Sequence, residues 1–254
     1  MSDLVSQLKT HLNILRSAGI EFVPIVEPIP LAIVPSIDQI QATAPMDDRT
    51  RLLGELATEV SRCHQCPGLF ATRTQTVFGR GSLSPDICFL GDAPGAEDDR
   101  TGQPLTGEAG ALFDKILHAM GLGRDEVYLM TAVKCRPPGN RPPSADECER
   151  CRDYLVRQLE LVKPRFICCL GLPAARTLLN STDGLNALRG TVHDFNGVPV
   201  MCTHHPASLI QNETLKRDCW ADMKKLMTLI GRPLPNIPKG NVTSSAPTDR
   251  PDPS

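Results

Sequence analysis

No apolar run in this chain of 254 residues approaches the roughly 18 that a membrane-spanning helix requires, so an integral helical membrane protein is excluded. The first residues, MSDLVSQLKTH, lack the basic start and apolar stretch of a secretory leader, and a cytoplasmic location is expected. Neither charge is in excess. The 27 Lys and Arg stand against 29 Asp and Glu, so bulk electrostatics do not mark a nucleic-acid binder. No internal repeat is present. The phosphate-loop pattern GxxxxGK followed by Ser or Thr is missing, as is the dinucleotide pattern GxGxxG. What remains is an ordinary globular composition, 41% apolar, with enough material for a sizeable core.

Cysteine is abundant. Ten of them in a chain without a leader argue against a disulfide framework and for core thiols plus a metal site. Cys88, Cys168, Cys169 and Cys202 sit inside apolar runs and are expected in the core. The others follow a pattern. Cys63 and Cys66 form one CxxC, Cys148 and Cys151 another, and Cys135 leads into the loop CRPPGNRPPS. Two such pairs plus an extra cysteine fit a four-thiolate zinc site or an iron–sulfur cluster. Spacing separates neither the metals nor the spare cysteine.

The ends differ from the middle. Residues 1–20 carry Leu4, Leu8, Leu12 and Leu15 at helical spacing, which predicts an amphipathic helix, either docked on its own domain or available to a protein partner. Residues 21–47 are proline-rich and read as a linker, and 231–254 as a disordered tail. Between them, 48–230 form one domain. Apolar runs at 87–91, 127–132, 165–170 and 198–203 read as strands. Helical patterns follow at 107–120, 146–162, 173–180 and 213–230. This alternation predicts an α/β fold with a mostly parallel sheet covered on both faces. Ligands in such sheets gather at the carboxyl ends of the strands, where Asp92, Thr131 and the His204–His205 pair fall.

Two of those ends carry chemistry. The loop GDAPGAEDDRTGQPLTGEAG offers backbone N–H groups at tight turns and a carboxylate, Asp92, one residue past a strand. Glu97, Asp98 and Asp99 are expected to form a solvated turn. After the last strand comes THHPASLI, in which a His before Pro is held extended beside the crevice.

Taken in order, CHQCPG, GDAPGAEDDRTGQPLTGEAG, VKCRPPGNRPP, LVKPRFICCLG and THHPASLI resemble the family 4 uracil-DNA glycosylases over about residues 48–230. The resemblance implies a three-layer α/β/α domain around a four-stranded parallel sheet. It implies a [4Fe–4S] cluster held by Cys63, Cys66, Cys135 and Cys151, with Cys148 spare. It implies hydrolysis of the N-glycosidic bond of uracil, or another deaminated base, flipped out of DNA. His205 would stabilise the departing base anion, and Asp92 would stabilise the sugar cation and orient water. Gly91, Ala93, Leu105 and Thr131 would contact the base. Lys134, Arg136 and Arg141 would meet phosphates, with Leu209 and Ile210 as a wedge in the base stack. A monomer acting on DNA is expected.

Three positions depart from the family. Members usually carry Glu at Asp92, a stacking Phe at Leu105 and an edge-reading Asn at Thr131. The scaffold is kept while base recognition is altered. Expectation therefore runs from a weak uracil glycosylase, through one with another base preference, to a non-catalytic DNA-binding relative. An iron–sulfur redox protein sharing the fold is the alternative from a different class.

Overall fold

A computed structural model describes residues 48–233; the expected N-terminal helix, the linker and all but the first residues of the tail lie outside the described residues. Its sheet has six strands: β1 (Arg80–Gly81), β2 (Ile87–Gly91), β3 (Tyr128–Thr131), β4 (Phe166–Leu170), β5 (His193–Phe195) and β6 (Val198–Thr203). Their order is β1-β3-β2-β4-β6-β5. The inner four, β3-β2-β4-β6, are parallel and correspond to the four predicted runs. The outer two are antiparallel, so the sheet is mixed and six-stranded rather than four-stranded and wholly parallel. These edge strands are two and three residues long, too short to leave a period of two in the sequence.

The inner strands are apolar at nearly every position, with Thr131 and Thr203 at the ends of β3 and β6 excepted, because both faces are covered. Phe89, Leu129, Cys168 and Met201 point to one face, where they meet Phe113 and Leu117 of α4 (Gly107–Ala119) and Met223 and Leu226 of α9 (Leu215–Leu229). Cys88, Met130, Cys169 and Cys202 point to the other, against Leu155 and Leu159 of α5 (Ala145–Val162) and Ala174 and Leu178 of α6 (Leu172–Leu179). The four cysteines predicted for the core are fully buried there. Outside this layer α1 (Asp48–Ser61) packs on α5 through Leu53, Leu56 and Val60. Short helices α2 (Pro67–Phe70), α3 (Ala96–Thr101), α7 (Leu185–Leu188) and α8 (Pro206–Gln211) fill the connections.

Local chemistry sets the helix ends. Ser144 caps α5 by accepting the Glu147 N–H at 3.2 Å, while the Glu147 carboxylate accepts the Ser144 N–H at 2.8 Å. Lys163, with φ of 51°, ends the helix just before Pro164. Among the described residues no helix is long and apolar enough to cross a membrane.

One largely buried ion pair fastens the carboxyl end of β6. Asp222 on α9 accepts from Arg189 Nε at 2.9 Å and from the Thr203 hydroxyl at the end of β6 at 2.7 Å. Asp222→Ala leaves the largely buried Arg189 guanidinium with only Asp218, at 3.3 Å, and is expected to cost up to about 3–5 kcal/mol in chemical denaturation. The Asp222→Leu, Arg189→Met double variant should recover much of that loss, and equal loss in the two proteins would show that the pair itself is not the source.

Candidate active site

The chain leaves β2 at Gly91 and turns across the carboxyl edge of the sheet, where a cavity of about 540 Å³ opens. Asp92, Ala93, Leu105, Thr131, Arg141 and His205 are on its lining. Asp92 comes from β2, Thr131 from the end of β3 and His205 from just past β6, so parallel pairing alone brings the three together.

Asp92 points toward the start of α6, where its Oδ1 accepts the Ala174 N–H at 2.8 Å. Gly171, at φ of +105°, makes the approach possible, since a β-carbon there would collide with the Asp92 carboxylate. One N–H is little compensation for lost water. Burial pushes the Asp92 pKa from 3.8 up to about 7, with the Ala174 bond pulling the other way. The carboxyl therefore shares its proton near neutrality, although the residue keeps some access to the cavity.

His205 caps α8, its Nδ1 accepting the Ala207 N–H at 3.2 Å. In the neutral ring the proton then belongs on Nε2. Nε2 lies over Gly91, because a β-carbon on Gly91 would stand 3.6 Å from it and 3.6 Å from Thr131 Cγ2. Burial pushes the imidazole down to about 4, against a smaller opposing pull from Asp98. At neutral pH the ring is an uncharged N–H donor.

Thr131 is 2% exposed, and its hydroxyl has no hydrogen-bond partner. Leu105 sits in the left-handed region, with φ of 54°. Arg124 secures that strained backbone by donating to Leu105 O at 2.5 Å while its Nε pairs with Asp114. The Leu105 side chain lines the cavity and also belongs to the apolar cluster of Phe89 and Phe113.

The expected solvated turn is only partly that. Glu97 is half-buried and pairs with Arg100 at the surface. Asp98 and Asp99 are buried and organise the loop. Asp98 accepts from Gly95 N at 3.1 Å, from Thr106 N at 2.7 Å and from the Thr106 hydroxyl. Asp99 accepts from Thr74 N at 2.9 Å and Gln75 N at 3.3 Å. Runs of acids read as surface because spacing does not reveal that backbone donors encircle them. Gly171 was likewise missed; its signal is a glycine directly after an apolar strand run, in LGLPA.

Two of the DNA-contact expectations are corrected. Lys134 is 1% exposed and its ammonium donates to Thr131 O at 2.8 Å and Phe78 O at 3.2 Å, out of reach of any phosphate. Leu209 is 1% exposed in the core with Phe113 and Met223, because it is the inward residue of short amphipathic α8, and so is no wedge. Its neighbour Ile210 is half-buried. Arg136 donates to Asn140 Oδ1 at 2.7 Å. Arg141 is exposed at the cavity rim, held by two bonds of 2.6 and 2.8 Å to Glu147.

A second centre lies beside the first. Cys63 and Cys66 bracket the turn from α1 into α2, Cys135 follows β3 and Cys151 rides on α5, and all four line one small void with Leu69 and Val133. Cys148 does not line that void. Arg73 donates to Cys135 Sγ at 2.9 Å and to Cys63 O at 2.8 Å, and the Lys134 N–H donates to Cys151 Sγ at 3.3 Å. Burial pushes the Cys66 and Cys135 thiols up and Cys151 to about 12, so holding them as thiolates calls for a strong positive charge among them. Among the described residues no three His, Cys, Asp or Glu side chains close into a cage for a single ion.

Comparison with known proteins agrees with this geometry. The family model of the uracil DNA glycosylase superfamily matches residues 78–224. A type-4 uracil-DNA glycosylase of Archaeoglobus fulgidus is 37% identical over 193 residues, spanning 73% of this chain and 96% of its own. One from Thermotoga maritima is 35% identical over 189 residues, spanning 73% and 98%. One from Pyrobaculum aerophilum is 35% identical over 179 residues, spanning 67% and 91%. The chain belongs to the uracil-DNA glycosylase superfamily and, within it, to the type-4 uracil-DNA glycosylases.

Proposed function

We propose that the protein is a DNA-repair glycosylase that hydrolyses the N-glycosidic bond of uracil flipped out of DNA. One observation carries the reading: a neutral imidazole N–H and a carboxyl that ionises near pH 7 face the same cavity at the edge of a parallel sheet. As the C1′–N1 bond breaks, its electron pair moves into the pyrimidine. The Nε2–H of His205 then donates to the base oxygen where negative charge gathers. A neutral donor suits this role, since it carries no charge that water would have to solvate before the base arrives. The sugar is left cationic, and ionised Asp92 stabilises it. A water attacks C1′ and passes its proton to Asp92; that proton is then returned, by way of solvent, to the uracil anion, so Asp92 is ionised again and the products are free uracil and an abasic site.

Thr131 supports a second reading, removal of another deaminated base. Its unpaired hydroxyl can donate to a keto group or accept from an amino group, so it selects a base edge less strictly than an amide does. Arg136 and Arg141 remain as phosphate contacts, Arg141 by exchanging Glu147 for DNA, and Ile210 remains as the wedge into the base stack.

The four-cysteine centre fits a [4Fe–4S] cluster held by Cys63, Cys66, Cys135 and Cys151. The donor set is all thiol, two hydrogen bonds already point at its sulfurs, and a cluster gives each thiolate its own iron, so the four need not converge on one point. The cluster would supply positive charge that holds buried thiolates and would pin the loop carrying Arg136 and Arg141. Protein isolated without air should contain about four irons per chain, the number in the cluster type. Cys151→Ala should lose them and Cys148→Ala should not; stoichiometric zinc in place of iron would sink the assignment.

The pH profile of uracil release tests the machinery. If ionised Asp92 is required, kcat should rise as pH climbs through about 7, with no further loss from His205 until about pH 4. A rate flat from pH 5.5 to 8 would remove Asp92 from its role. His205→Ala should cost about 10²–10³ in kcat, the usual loss of a donor at a developing anion. Thr131→Asn should raise kcat/KM for uracil roughly tenfold, the equivalent of one net hydrogen bond. It is a cleaner substitution than Leu105→Phe, because Leu105 also fills the core. A slower Thr131→Asn protein together with a wild type active on another base would favour the second reading.

A further inference from the structure

We propose that Lys134 is a positioning residue whose side chain ties the Cys135–Cys151 pair to Asp92. The inference rests on the function proposed above only for the role of Asp92. The five residues from Thr131 to Cys135 run from the base cavity to the four-cysteine centre. Two of their amides hold the catalytic strand end: Ala132 N–H donates to Gly91 O at 2.9 Å and Val133 N–H to Asp92 O at 3.1 Å. At the other end the Lys134 N–H donates to Cys151 Sγ at 3.3 Å. Between these points the Lys134 side chain folds back and donates to Thr131 O at 2.8 Å, closing the segment on itself. The same ammonium donates to Phe78 O at 3.2 Å, and Val77 N–H returns a bond to Lys134 O at 2.8 Å.

A buried ammonium is an expensive way to fill space, and an apolar side chain would do so at lower cost. What the ammonium adds is two donors at fixed positions. They satisfy carbonyls on separate segments and leave the 131–135 stretch with no freedom to slide. Gln158, on the same helix as Cys151, donates to the same Phe78 carbonyl at 3.0 Å, so the anchor point is itself fastened to α5. Displacement of Cys135 or Cys151 is therefore felt at Asp92 through one short hydrogen-bonded path. Without the Lys134 side chain, the path keeps its covalent links but loses its stiffness.

Lys134→Met keeps the length and removes the donors. In anaerobically prepared full-length protein, its iron content and visible spectrum should match the wild type. Amide hydrogen exchange at Ala132 and Val133 should quicken about tenfold or more while α9 stays protected, the signature of local rather than global opening. On a uracil-containing oligonucleotide, kcat should fall about 10–100-fold with KM within twofold, as expected when a reacting group is held loosely. The proposal is overturned if exchange at those two amides is unchanged, if it quickens equally in α9, or if kcat per iron-loaded molecule stays at the wild-type value. Should Lys134→Met fail to fold, Lys134→Gln is read the same way, since it keeps a donor but is one bond too short to serve both carbonyls. If wild-type protein releases no uracil, the proposed activity fails, and the exchange measurement still decides the coupling.

Discussion

The central position of β2 in the sheet governs everything chemical in this molecule. Because β2 lies between β3 and β4 and runs parallel to both, the residues after it must bond to the segments that leave its two neighbours. The Asp92 carbonyl takes the Val133 N–H on one side, and its carboxylate takes the Ala174 N–H on the other. Asp92 is thus held at backbone and side chain by two different crossovers before any ligand arrives. Preorganisation of this kind is what a site needs if it is to meet a transition state without reorganising.

The acids along the β2 loop show how donor count divides structure from chemistry. Asp98 gathers donors from Gly95 and Thr106, and Asp99 from Thr74 and Gln75; both are spent on holding the loop. Asp92 has one N–H, and its second oxygen faces Gly171 and the cavity. Burial without full compensation brings its ionisation to about pH 7. His205 shows the complementary case: with Nδ1 occupied by a backbone N–H and no acid bonded to Nε2, burial keeps the ring neutral.

Much of this was legible before the fold was known, and the limits are physical. Apolar runs bounded by turns revealed the inner strands, because burial on both faces leaves no polar interruption. The strand ends then located Asp92, Thr131 and His205 without further information. What sequence did not reveal was which charges are enclosed. Lys134 precedes Cys135 and two arginines, and its neighbours suggest a basic surface; the strand end and the Phe78 segment enclose it instead. Leu209 and Ile210 are both apolar and adjacent, and only the docking of α8 on the core decides which is inward. Two-residue β1 and three-residue β5 exist because neighbours offer them free edges, a tertiary cause with no local trace.

The cavity combines a costly feature with a permissive one. Thr131 keeps a hydroxyl buried without a partner, which is unfavourable in the resting protein, and Leu105 keeps a strained backbone that Arg124 must clamp. Neither feature helps the fold: a valine at 131 would fill the same volume with no orphaned oxygen. Both side chains face the cavity that Asp92 and His205 share. A base edge that bonds the Thr131 hydroxyl would gain more than it would from a hydroxyl already satisfied, whereas the Leu105 backbone is held by Arg124 whatever the cavity contains. A ligand with hydrogen-bonding groups on its edge would supply the partner that the Thr131 hydroxyl lacks, and a purely apolar one would leave that oxygen unpaired.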